Sequence, residues 1–204
     1  DWEAHTLARE YGRMQRGVYE PTWRQFFTGN AIVRRADVIA AGGFNEHFTR
    51  AEDVELGRRL ALRGCRFVFE PKAIGWHYAR RSLESWLRIP REYGEFDAEI
   101  DRLYPELHWR RVVRREQAER PWPVRAARRV LGNRQVRPAA VRALVRGARA
   151  AYRVRLRSAA LRGLSMAYDI EYHAAFARAS ARTRNRASTA PQREAPTVTR
   201  GPHV

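Results

Sequence analysis

The 204-residue sequence has one cysteine, Cys65, and one lysine, Lys72. A single cysteine excludes an internal disulfide, so burial and hydrogen bonding must hold the fold. Set in Cys65-Arg66-Phe67-Val68-Phe69, the thiol reads as a small buried hydrophobe in a reducing compartment rather than as a reactive group. Long apolar runs are also missing. Nothing approaches the roughly 18 consecutive apolar residues that would span a bilayer. The chain opens at Asp1 without a charged-then-apolar leader, and it is expected to begin inside a longer protein. With lysine nearly absent, arginine carries the positive charge, and alongside abundant alanine this reads as compositional bias rather than selection for phosphate recognition.

Charge is what the sequence has in excess, and it is unevenly spread. The formal net charge is +18. Residues 1–79 hold 12 basic and 10 acidic side chains, whereas residues 80–204 hold 28 and 12. Most of the excess falls in 110–162, where 17 arginines face 2 glutamates.

Within 1–20, Leu7, Tyr11, Met14 and Val18 recur at helical spacing. The run from Phe26 to Val33 is β-rich and interrupted by Gly29-Asn30. Residues 35–41 read as a short helix stopped by Gly42-Gly43, and 52–63 as a second one stopped by Gly64. Residues 65–70 read as a strand closed by Pro71, and 73–78 as another short strand. That alternation predicts an α/β domain near its end. Beyond it, 82–104 reads as one or two helices with aromatic anchors at Trp86, Tyr93, Phe96 and Tyr104. Pro121-Trp122-Pro123 reads as a linker, 138–157 as a basic amphipathic helix, and about 159–178 as a further helix. Four segments follow: a domain part at 1–79, a helical extension packing on it at 80–120, basic amphipathic helices at 121–179, and a disordered tail at 180–204.

The residues suited to chemistry lie between Thr28 and His77. They are Thr28-Gly29-Asn30, Gly42-Gly43-Phe44-Asn45-Glu46, Glu52-Asp53, Arg63-Gly64, and Trp76-His77-Tyr78. Paired glycines let the chain turn with positive φ and approach a ligand closely. Glu52 and Asp53 open a helix, where the dipole favours negative charge, and a carboxylate at a cleft mouth can take a proton from a sugar hydroxyl. Taken singly, each motif has a plainer use: acidic residues cap helices, a histidine after a strand is commonly a hydrogen-bonded structural residue, and Thr-Gly-Asn is a turn.

In this order and spacing the motifs resemble the C-terminal half of the family 2 glycosyltransferases. The resemblance implies a partial Rossmann-like nucleotide-diphosphosugar transferase fold, its acceptor-side half, followed by a helical, Arg-rich extension. It implies that Asp53 is the base that deprotonates an acceptor hydroxyl for inverting attack, and that Glu52 orients the acceptor. Gly43 and Phe44 would shape the acceptor side, Gly29 and Asn30 would lie near the donor sugar, and His77 would ligate a divalent cation, Mg²⁺ or Mn²⁺. The implied partners are a nucleotide-sugar donor and a glycan or lipid-linked acceptor of cell-envelope type. Asn45 departs from the family's usual Asp, and Thr49-Arg50-Ala51 replaces an aromatic or glycine-containing approach to the acidic pair. There is no Asp-x-Asp to deliver metal to a diphosphate. The donor-binding half is therefore expected to be missing, and the isolated chain to be inactive.

Residues 110–162 admit three readings: an Arg-rich solvated surface, attachment to an anionic membrane surface through 138–157, and nucleic-acid binding. The second fits a cytoplasmic enzyme held peripherally on the inner face of the membrane. Nucleic acid is not expected, because no helix-turn-helix, zinc-finger or aromatic RNA-binding pattern accompanies the charge. A basic membrane-surface or nucleic-acid-binding module without catalysis is the alternative for the whole chain.

Overall fold

The computed structural model describes residues 2–48, 50–76 and 81–189, with side chains to 183. Among these residues the chain is all-α. Eight α-helices follow in order: α1 (Trp2–Gln15), α2 (Arg35–Ala40), α3 (Glu52–Leu62), α4 (Leu83–Leu103), α5 (Trp109–Ala118), α6 (Trp122–Leu131), α7 (Arg137–Arg153) and α8 (Arg157–Thr189). Three short 3₁₀ turns lie between them, at Trp23–Gln25, Thr28–Asn30 and Pro105–Leu107.

The long helices α4, α7 and α8 form the body. Ser82 caps α4, its hydroxyl accepting the Ser85 N–H at 3.1 Å. Pro90 lies inside α4 and is fully buried, and the helix runs through it, so the segment read as one or two helices is one. The α4–α8 crossing is close because residue 94 is glycine. A Cβ there would collide with the Tyr172 carbonyl oxygen and lie 2.9 Å from the Phe176 nitrogen. Around this crossing Phe48, Phe96, Ile100, Trp109, Val113 and Phe176 form one core cluster. A second cluster joins α7 to α8 through Val141, Val145, Ala167 and Ile170. The apolar stripe read in 138–157 thus faces the protein's own interior at Val141, Leu144, Val145 and Ala148, whereas Tyr152 stays exposed. α1 is held to this body by Trp2, stacked on Tyr168 at 5.0 Å and donating its indole N–H to Ser165 Oγ at 2.9 Å.

Helix ends follow local chemistry. α1, α2 and α3 each finish on a glycine at positive φ: Gly17, Gly42 and Gly64. In each, the glycine N–H reaches three residues back and the next N–H five, as in Gly64 to Ala61 and Cys65 to Leu60. Two boundaries differ from the expectation. Trp122, read as linker, opens α6, and α8 runs past Ser180 to Thr189 through alanine and arginine, both strong helix formers. Residues 190–204, read as a tail, lie outside the described residues.

The α/β expectation is overturned, and with it the partial Rossmann-like nucleotide-diphosphosugar transferase fold. No strand forms among the described residues: 26–33 is one 3₁₀ turn, Thr28–Asn30, flanked by irregular and extended chain, and 65–70 and 73–76 are irregular. Composition of this kind says only that a segment would suit a pleated, half-buried surface. A strand also needs a neighbour to take its N–H and C=O groups. None pairs with these segments, and Ile32, Val68, Ile74 and Trp76 are left facing water.

Candidate functional site

The site is built around the first turn of α3. α3 can rest directly on the turn at Trp23–Gln25 because residue 57 is glycine. A Cβ there would come within 2.8 Å of the Trp23 carbonyl oxygen and 2.9 Å of Phe26 Cβ. Phe26, Leu56 and Leu60 bury together beneath this contact. The close seating brings the next turn, Thr28–Asn30, to the start of α3. There Asp53 Oδ2 accepts the Thr28 N–H at 3.1 Å, with the Thr28 hydroxyl 3.5 Å away. Asp53 Oδ1 accepts the Val54 N–H at 2.8 Å. A carboxylate offers about four lone-pair sites, so this half-buried group keeps acceptor capacity for a further hydrogen.

The residue just before the acidic pair is under strain. Ala51 sits at φ 56 in the left-handed region and is buried against the α4 core. A non-glycine residue held there costs roughly 1–2 kcal/mol, so the surrounding packing fixes the direction in which α3 starts. Glu52 follows, half-buried and without an ion pair among the described residues. Burial raises the Tyr93 hydroxyl above its usual range, and the charge of Asp53 adds to this. Tyr93 packs against the core cluster that holds Ala51, the residue before the acidic pair. Arg50, in a salt bridge to Glu92 at 2.6 Å, supplies the nearby positive charge.

The other residues singled out in the sequence divide into three groups. Asn30 donates its amide to the Ala73 carbonyl at 2.9 Å and lies against Gly75, so it ties the first turn to the segment leading toward His77. Gly29 is exposed beside it, with open space where a Cβ would stand. Gly42 and Gly43 both have positive φ, and their turn is fastened to the far half of α3. Arg59 donates to the Gly43 carbonyl at 2.7 Å and to the Ala41 carbonyl, while pairing with Glu55 at 2.7 Å. Arg59 is six residues beyond Asp53, about 9 Å along the helix at 1.5 Å per residue. The Gly-Gly turn thus meets α3 through Arg59 and Glu55, and no hydrogen bond among the described residues joins it to Asp53. Phe44, which follows the turn, is 49% exposed. His77 lies outside the described residues.

Sequence reading missed the buried part of this arrangement. Glu55 has no exposed surface and also accepts the Tyr104 hydroxyl at 2.5 Å. Burial, followed by that hydrogen bond, pushes Tyr104 up to about 12. Arg58, nearly buried, pairs with Glu106 at 3.1 Å. A carboxylate at the second position of an Asp-x-Glu step one helical turn before an arginine was the available signal, since such i, i+4 pairs share a helix face. Nothing in the spacing says that the pair is buried.

No three His, Cys, Asp or Glu side chains among the described residues gather as metal ligands. Without His77 the described donor set does not build a cation site. Two surface clefts, one between α4, α7 and α8 and one at the α7–α8 turn, are lined by no residue of α3.

Over 106 residues the chain is 30% identical to the pre-mycofactocin glycosyltransferase of two strains of Mycobacterium tuberculosis. The chain is distantly related to a glycosyltransferase. The match covers 52% of this chain and 23% of the relative, so the chain spans less than a quarter of the relative's length. No family model matches the chain. No solved structure matches it either. No helix among the described residues is long and apolar enough to cross a membrane.

Proposed function

We propose that this chain supplies the acceptor-activating part of an inverting, family 2-type glycosyltransferase that uses a nucleotide-sugar donor and a glycan or lipid-linked acceptor. The carrying observation is the hydrogen bond from the Thr28 N–H to Asp53, which joins two motifs 25 residues apart at the mouth of α3. Asp53 accepts the acceptor's hydroxyl proton as that oxygen attacks the anomeric carbon. The bond to the nucleoside diphosphate breaks on the opposite side, and its electron pair leaves with the diphosphate. Glu52 orients the acceptor through a second hydroxyl. The remote relationship to a glycosyltransferase supports the reaction class. The chain's small share of that relative's length supports placing the donor-binding residues outside 1–204.

The test is acceptor-dependent release of nucleoside diphosphate from a panel of sugar nucleotides. It uses the protein that carries this chain together with its donor-binding portion, beside the 204-residue chain alone. Transfer by the former and none by the latter is expected. Transfer by the 204 residues alone would refute the division of labour, and failure of both with every donor would remove the enzymatic reading.

A further inference from the structure

The turn joining α7 to α8 reads Tyr152-Arg153-Val154-Arg155-Leu156-Arg157, apolar and cationic residues in strict alternation. Its apolar members are not in the core: Tyr152 is 62% exposed, Val154 66% and Leu156 59%. The backbone is that of the glycine-terminated helices, with the Arg155 N–H on Tyr152 O at 3.1 Å and the Leu156 N–H on Ala151 O at 2.8 Å. Here, however, the left-handed position holds an arginine, at φ 62. In this motif the residue after the left-handed position ordinarily folds back over the last turn. Leu156 does not. Folding alone explains neither the arginine in a glycine position nor three large apolar side chains in water. Along the chain the charge here has one sign, for the sequence contains no acidic residue from 120 to 168. Tyr152, Arg153, Arg155 and Arg157 line an open notch of about 530 Å³.

We propose that this turn is a membrane-contact tip. Tyr152, Val154 and Leu156 enter the interfacial layer of an anionic bilayer, and Arg153, Arg155 and Arg157 take phospholipid phosphates in the notch. The contact is end-on. The apolar stripe of α7 is used against α8, so that helix does not lie flat in the membrane with this face down. Arginines alone would serve a nucleic-acid backbone, whereas the interleaved apolar residues fit a lipid surface. The inference stands independently of glycosyl transfer.

The 204-residue chain is sedimented with phosphatidylcholine vesicles, with and without phosphatidylglycerol, at physiological salt. Binding to the anionic vesicles only is expected. A Tyr152→Ser, Val154→Ser, Leu156→Ser triple variant, with helicity unchanged by circular dichroism, should lose about tenfold in apparent partitioning. Arg155→Gly separates fold from function: it relieves the left-handed strain and raises the unfolding midpoint, yet weakens vesicle binding about fivefold. Anionic-vesicle binding by the triple variant equal to that of the parent would overturn the proposal. So would retention on duplex DNA at lower protein concentration than on phosphatidylglycerol vesicles.

Discussion

Glu55 is buried without any exposed surface, and Arg59, one turn later in the same helix, grips it in a bidentate pair. The same guanidinium holds the carbonyl oxygens of Ala41 and Gly43, so one side chain neutralises a buried carboxylate and fastens the Gly-Gly turn to α3. Replacing Arg59 by methionine leaves Glu55 with only the Tyr104 hydroxyl. The expected cost is about 3–5 kcal/mol in urea denaturation. Arg115, in an exposed pair with Glu119, is the control, and Arg115→Ala should cost under about 1 kcal/mol.

Two glycines in long helices should answer alanine substitution with opposite signs. Helix propensity alone favours alanine by about 1 kcal/mol at either position. At Gly147 a Cβ meets nothing within 4 Å, so Gly147→Ala should stabilise by about that amount. At Gly94 the new methyl meets α8 backbone, and Gly94→Ala should destabilise by about 1–3 kcal/mol in spite of the propensity gain. Thermal melts of the two variants check both signs.

Two partly buried groups with opposite shifts shape the acid response. Burial, reinforced by the charges of Arg128 and Arg120, lowers His173 to about 3. Its contribution is full above the unfolded value near 6.5 and is lost as pH falls toward 3. Burial raises Asp97 to about 6, against the opposing pull of the Tyr172 hydroxyl it accepts. Its contribution is full below about 3.8 and is lost as pH rises through 6. Between pH 6 and 4 the two oppose each other, each changing by about 1.4 kcal/mol per pH unit. Wild-type urea midpoints should change little over that window. His173→Gln should become more stable on acidification, by about 2 kcal/mol from pH 6 to 4.5.

Much of the helical pattern was readable because its causes are local. Gly42-Gly43 and Gly64 end helices where a positive φ is needed, and Glu52-Asp53 mark a helix start. The strands read at 65–70 and over 73–76, the described part of 73–78, failed because a strand depends on a partner that its own residues do not encode. Val68 and Ile74 have β-prone side chains, yet without a neighbouring ladder they remain in water. At the candidate site, the carboxylate at 53 and the turn at 28–30 stand out in sequence, and the structure joins them. The grip of Arg59 on the Gly-Gly turn was not readable, because it spans 16 residues and depends on Glu55 being buried.

The seating of α3 on the Trp23–Gln25 turn should govern the site from a distance. Gly57→Ala pushes a methyl against the Trp23 carbonyl and Phe26, and the Thr28–Asn30 turn should move away from Asp53. Amide hydrogen exchange at Thr28 should rise about tenfold or more as its bond to the carboxylate loosens, with exchange in the α4–α8 crossing unchanged.

The most direct measurement of the central claim is single-turnover transfer by Asp53→Asn in the protein that includes the donor-binding portion, with sugar-nucleotide affinity measured alongside. Asparagine keeps the acceptor for the Thr28 N–H but cannot take a proton. Transfer should fall about a hundredfold or more while donor affinity changes less than about twofold. A variant that retains a tenth of the parent rate would show that some other group receives the proton.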